Sequence, residues 1–118
     1  MDPLILVGIG GALGSILRFV FSRIRQVRGI PSGTLLVNII GSFAFSLLVF
    51  SQVKGDLYYL IGTGGLGGFT TFSTFSYETF RMMEDHDYRT LATYSAISVG
   101  GGLLAVAAGY LICTGWVL

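Results

Sequence analysis

The chain has 118 residues and 13 charged side chains, 7 Lys+Arg and 6 Asp+Glu, whereas 53% of it is apolar and 18 positions are glycine. A soluble domain is about one quarter charged, so this composition argues against a disordered chain and against an ordinary soluble enzyme. The length allows one domain, residues 1–118, and a net charge of +1 gives no support for nucleic-acid binding.

The charges are clustered. Asp2 is followed by Arg18 to Arg28, then Lys54 and Asp56, then Glu78 to Arg89. Four uncharged stretches lie between them: Pro3–Leu17, Gly29–Val53, Leu57–Tyr77 and Thr90–Leu118. A transmembrane helix needs about 20 mostly apolar residues. The last three stretches meet this outright, and the first meets it if its helix runs past Arg18 through Phe19, Val20 and Phe21. The expected fold is an all-α membrane protein with four transmembrane helices. A small soluble bundle is the competing reading, but four such runs leave no polar face for water. Met1-Asp2-Pro3 lacks a basic leader, and no small-residue cleavage pattern follows the first run, so that helix is expected to stay in the mature chain. Cys113 and His86 are the single cysteine and histidine, which excludes a disulfide framework and a Cys/His zinc site within one chain.

With four spans, the first and third loops share one side and carry Arg23, Arg25, Arg28, Arg81 and Arg89, against Lys54 on the other. This places the first and third loops in the cytoplasm and both termini outside.

In the first span, Gly10 and Gly14 form a small-xxx-small pair suited to close helix packing. Arg18 ends the span and either snorkels to the headgroups or holds an anion or carboxylate near a pore mouth. In the second span, Thr34, Asn38 and Gly41–Ser42 fall on one helical face. An intramembrane amide must find a partner or line a wet cavity. The third span contains Gly62-x-Gly64-x-x-Gly67, which matches a dinucleotide fingerprint by pattern alone; no strand precedes it and no βαβ unit can be built. Glycines so dense, followed by Thr/Phe/Ser alternation, make a poor continuous helix, so the third helix is expected to be broken around Gly62–Gly68. Broken backbone at membrane depth must be buried in protein or line a cavity. Its free carbonyls suit a cation, and a half-helix N-terminus suits an anion. Beyond the break, Phe72, Phe75 and Thr79 share a face with Ser76 beside them.

Three segments resemble the fluoride channel family (the Fluc or CrcB proteins): Gly11-Ala-Leu-Gly-Ser-Ile-Leu-Arg18, Gly33-Thr-Leu-Leu-Val-Asn-Ile-Ile-Gly-Ser42 and Gly67-Gly-Phe-Thr-Thr-Phe-Ser-Thr-Phe75. The Thr-Thr-Phe-Ser-Thr-Phe block is the most specific of them. Gly65 and Leu66 depart from the usual Phe and Cys, Ser15 from Ala and Ser46 from Gly. The resemblance implies an antiparallel dimer of dual-topology type, with two fluoride pathways and a central structural sodium ion. The sodium would be held by backbone carbonyls matching Gly67 and Thr70. The fluoride path would be lined by Phe72 and Phe75, with Asn38, Thr34, Ser73 and Thr74 beside it and a polar track of Tyr94 and Ser98. Gly102 stands where that track often has a serine. Arg18 and Glu78 match vestibule positions. The implied partners are fluoride, the lipid bilayer, and a second copy or an oppositely oriented paralogue; the implied location is the cell membrane, as a multi-pass protein.

The chemistry agrees with the resemblance. Fluoride is small and tightly hydrated, so a selective path must replace water with donors. Hydroxyls and the Asn38 amide are donors, and aromatic rings present positive edges. A nearby cation would raise the local potential. One rival is a small multidrug-resistance-type, proton-coupled cation exporter, which has a similar size and span count. It needs a carboxylate within a span; Glu78 sits at the end of the third, and the other spans have none. A second rival, a non-transporting assembly subunit, explains the glycines, including Gly101/Ala105/Gly109, but not Asn38 or the Thr/Ser/Phe block. No nucleophile–base pair suggests an enzyme, and the Glu84-Asp85-His86-Asp87 run reads as a solvated connection.

Overall fold

The computed structural model describes residues 2–115; the end of the fourth uncharged stretch, residues 116–118, lies outside the described residues, as does Met1. The described chain is helical, and its only β-type pairing is an isolated bridge between Val27 and Ile30.

Helix α1 spans Pro3–Phe21. Asp2 caps it by accepting from Leu4 N–H, and Pro3 occupies the first turn, where its missing donor costs nothing. The helix runs past Arg18, which gives it 19 residues. Helix α2 spans Ser32–Phe50, also 19 residues. Helix α5 spans Tyr88–Tyr110, and a π-wound turn carries it on through Gly115. Asp87 caps α5 by accepting from Thr90 N–H. These three helices, Pro3–Phe21, Ser32–Phe50 and Tyr88–Gly115, are long and apolar enough to cross a membrane.

In the third uncharged stretch, expected to break around Gly62–Gly68, the non-helical residues fall elsewhere. A π-wound segment, Tyr58–Leu66, leads directly into a short α3 (Gly67–Phe69). Thr70 and Thr71 are extended, and α4 (Phe72–Glu84) follows. The glycine run Gly62–Gly68, expected to be the point of interruption, is itself helical. Low intrinsic propensity is overridden there by packing that only glycine permits. A methyl at Gly64 would sit 3.0 Å from Val7 Cα, and one at Gly68 would sit 3.0 Å from Gly11 Cα. Reciprocally, methyls on α1 at Gly10 and Gly14 would collide with the carbonyls of Leu60 and Gly65. The two helices therefore meet backbone to backbone.

The second seam joins α2 to α5. Gly101 admits the Ile39 side chain, and Gly109 admits Ser46. The start of α2 meets the end of α1, where Gly33 faces the Phe21 carbonyl. Buried side chains are few: Val37 and Tyr94 are the largest that are fully enclosed. Large apolar residues such as Leu4, Leu13, Phe19, Leu103 and Leu104 point outward, as a hydrocarbon surrounding requires. The molecule is a slab of 47 × 37 × 19 Å.

Candidate functional site

The polar residues of the apolar stretches converge on Thr70–Thr71. Asn38, in the middle of α2, grips the main chain of Thr71 at both ends. Its Nδ2 donates to the Thr71 carbonyl at 2.9 Å, and its Oδ1 accepts from Thr71 N–H at 2.8 Å. The amide thus mimics a strand partner and satisfies backbone groups that lipid could not. Asn38 still has one amide proton uncommitted by these two bonds. Ser42 donates to the Asn38 carbonyl one turn on.

Thr71 is the hub that the sequence reading passed over. Its main chain is held by Asn38, and its Oγ1 caps α4 by accepting from Thr74 N–H at 3.1 Å. The same hydroxyl donates to Thr74 Oγ1 at 3.1 Å and lies 3.3 Å from Ser73 Oγ. A threonine three residues before a helical Thr is an N-cap signal that could have been read from Thr71-Phe-Ser-Thr74. Thr70 turns inward on the preceding helix, its N–H and its Oγ1 both donating to the Leu66 carbonyl at 3.0 Å. Gly41 makes room for the Thr70 side chain.

This wiring diverts donors from two carbonyls. In a continuous helix Thr71 N–H would donate to the Gly67 carbonyl and Thr74 N–H to the Thr70 carbonyl. Here they serve Asn38 Oδ1 and Thr71 Oγ1 instead. Gly67 is exposed, and a methyl there would meet nothing within 4 Å. The Gly68 carbonyl accepts from Arg18 Nε at 3.1 Å, so a cation covers a carbonyl at the end of α3. Arg18 thus has its Nε bound to backbone, and it stands at the wall of a cavity of about 220 Å³ that Thr34, Thr71 and Thr74 also line.

A second polar cluster lies one to two turns along α4. The Glu78 carboxylate accepts from Thr34 Oγ1 at 3.2 Å and from Tyr94 Oη at 2.9 Å. Tyr94 is fully buried, so this cluster ties α2, α4 and α5 together at the carboxylate. Phe75 stacks at a tilt on Tyr94, with ring centroids 5.2 Å apart, and Phe72 follows 6.0 Å from Phe75. Phe75 is half-buried, whereas Phe72 is 79% exposed and projects from the slab. Tyr94 and Ser98, expected to form one track, have different surroundings. Tyr94 is bonded to Glu78, while Ser98 Oγ is buried without a hydrogen-bond partner among the described residues.

Beside the hub lies an open groove of about 710 Å³, lined on one wall by Asn38, Ser42 and Ser46 of α2 and on the other by Thr63, Gly67 and Thr70, with Phe72 at its edge. The groove and the smaller cavity are both bordered by Thr71.

The sequence model of the CrcB-like proteins, described as Camphor Resistance (CrcB), matches residues 5–110. "Fluoride-specific ion channel FluC 3" of Methanosarcina acetivorans is 43% identical over 107 residues, covering 90% of this chain and 96% of that one. "Fluoride-specific ion channel FluC" of Methanococcus aeolicus is 42% identical over 117 residues, covering 95% of each. Its namesake in Methanococcus maripaludis is 45% identical over 116 residues, covering 94% of this chain and 95% of that one. With its apolar helices, the chain is a multi-pass integral membrane protein, and it belongs to the CrcB-like family of fluoride-specific ion channel relatives.

Proposed function

We propose that the protein is a passive, fluoride-selective channel of the cell membrane that lowers internal fluoride and so confers resistance to it. The observation that carries this reading is the uncharged donor field around Thr71, in a chain whose relatives are named for fluoride conduction. A fluoride ion leaving water needs several short donors together. The free Asn38 amide proton, the hydroxyls of Ser73 and Thr74, and the N-terminal end of α4 supply them, with Thr34, bound to Glu78, and the Arg18 guanidinium on the wall of the adjoining cavity. The Phe72 and Phe75 ring edges extend the path along α4, towards Tyr94 and Ser98. Arg18 and Glu78 flank it as vestibule residues. Ser98 Oγ, buried and unsatisfied, is suited to a passing anion.

We also propose that residues 58–84 act as one membrane span interrupted at Thr70–Thr71, so that the chain crosses four times. Two copies, or this chain and an oppositely oriented paralogue, would pair antiparallel across the open groove. A sodium ion fits between them. The Gly67 and Thr70 carbonyls have lost their helical donors, and hard oxygen ligands suit that cation. When bound, the ion supplies positive potential close to both pathways.

The reading is tested with purified protein in liposomes, following fluoride efflux with a fluoride-selective electrode. Fluoride should leave rapidly and chloride should not; no fluoride efflux, or equal rates for the two, would overturn it. Replacing sodium by a bulky organic cation on both sides should lower the efflux if the ion is structural. A proton-coupled cation exporter would instead show no fluoride current and would depend on Glu78.

A further inference from the structure

We infer that the connection between α1 and α2 is a binding surface for anionic phospholipid headgroups. Between Pro3 and Val53 the chain carries four charges, Arg18, Arg23, Arg25 and Arg28, and no acidic residue. Arg18 has its Nε on the Gly68 carbonyl, inside the wall of the smaller cavity. Arg23, Arg25 and Arg28 are exposed, and none of their side chains makes a hydrogen bond or ion pair among the described residues.

Apolar side chains alternate with them. Ile24 is 42% exposed and Val27 60% exposed, continuous with the outward-facing Phe19 and Val20 on the last turn of α1. Guanidinium groups interleaved with exposed aliphatic residues, next to a span end, match the depth at which phosphates meet acyl chains. An aqueous anion would account for the arginines but not for Ile24 and Val27.

The loop is also shaped to present its charge. Val27 and Ile30 exchange both backbone hydrogen bonds, at 3.1 and 3.0 Å, and close a tight turn whose two central residues have positive φ, Arg28 at 54° and Gly29 at 82°. Such a turn prefers Asn or Gly at its first central position, and an arginine there is strained in its backbone. The strained residue is at the tip of the turn, where Arg28 is exposed. Gly29 packs near Thr90 at the start of α5, so the third loop lies on the same side. That loop and the helix ends beside it add Arg81 and Arg89 and also Glu84, Asp85 and Asp87, which leaves five arginines against three acids on this side.

The inference does not depend on which ion the protein passes. Wild-type protein would be reconstituted in mixed phosphatidylcholine and phosphatidylglycerol, re-extracted in mild detergent, and its retained lipid measured by mass spectrometry. Phosphatidylglycerol should be enriched over the bulk ratio, by up to about fivefold for each arginine that reaches a phosphate. R23Q/R25Q/R28Q should return the ratio to bulk while the thermal transition is unchanged, and R23K/R25K/R28K should keep the enrichment. Val27→Ser should weaken retention with the charges intact. A bulk ratio in the wild type, an enrichment that survives the glutamine variant, or complete displacement by inorganic phosphate would overturn the inference.

Discussion

Asn38 does two things with one amide, and substitution separates them. Asn38→Ala leaves Thr71 N–H and C=O without partners at a depth where water is scarce. Each orphaned group costs about 1–3 kcal/mol, so a loss of roughly 2–6 kcal/mol is expected, read as a lower unfolding temperature in detergent together with loss of efflux. Asn38→Asp keeps the acceptor for Thr71 N–H but sets a carboxylate against the Thr71 carbonyl, and should lose as much. Thr71→Val removes the α4 cap and the hydroxyl contacts to Ser73 and Thr74; it should cost about 1 kcal/mol while leaving the Asn38 clamp in place. Equal stability of the Asn38→Ala variant and the wild type would remove the clamp from the account. The importance of Asn38 is legible in sequence, because an amide in an apolar run must be satisfied. Its partner is not, since that partner is main chain 33 residues away and main chain carries no residue-type signal. Glu78 is a similar case. Its place near the end of a span can be read from sequence, but the two hydroxyls bound to it come from α2 and α5. Tyr94→Phe would leave the carboxylate with one of its two protein donors and should cost about 1.5–3 kcal/mol, measured by thermal unfolding; a double-mutant cycle with Glu78→Gln should show coupling.

Among the elements, the α1 seam explains both the glycine count and the unexpected helicity of Gly62–Gly68. Gly10 and Gly14 on one side, with Gly64 and Gly68 on the other, let two backbones approach within side-chain-free distance. In lipid, where apolar burial drives little association, that contact supplies much of the packing. Gly14→Ala puts a methyl against the Gly65 carbonyl and 2.9 Å from Phe69 N, just before the extended residues. A destabilisation of about 1–3 kcal/mol is expected, the range for overpacked interiors. Gly8→Ala is the control, since a methyl there meets nothing within 4 Å and, alanine being the better helix former, should hold or raise the unfolding temperature. If the two variants melted together, the seam would not be the close contact described. Helix existence followed from uncharged length, and the extension of α1 past Arg18 followed from its continuing apolar run. The site of the interruption did not follow from glycine density, because propensity is a local quantity and the seam is tertiary. The chain becomes extended at Thr70–Thr71, where side chains can replace helical hydrogen bonds: Thr70 with Leu66, Thr71 with Thr74, Asn38 with Thr71.

At the scale of the whole molecule, a slab 19 Å in its thinnest dimension has a groove open along its side, mostly apolar but with polar residues set into its walls. Lipid tails are a poor cover for Asn38, Ser42, Thr63 and Thr70 on the groove walls, because hydrocarbon offers no hydrogen bonds. A second copy, paired as proposed above, would offer them, and its approach would be limited at Gly67. This glycine is exposed within its own chain, and no neighbour of its own limits a side chain there, unlike Gly64 and Gly68 on either side of it. Gly67→Val therefore separates the protomer from the pair. If two copies close over this position with a sodium ion between the Gly67 and Thr70 carbonyls, the valine should obstruct that approach. The dimer fraction in lipid, counted by single-molecule photobleaching, should fall, and fluoride efflux should fall with it. The protomer's helical content should stay at the wild-type level, since the substitution meets open space. Gly8→Val, also facing open space but on α1 and away from the groove, should keep both dimer and efflux. A Gly67→Val protein that pairs and conducts like the wild type would show that the groove is not where the copies meet.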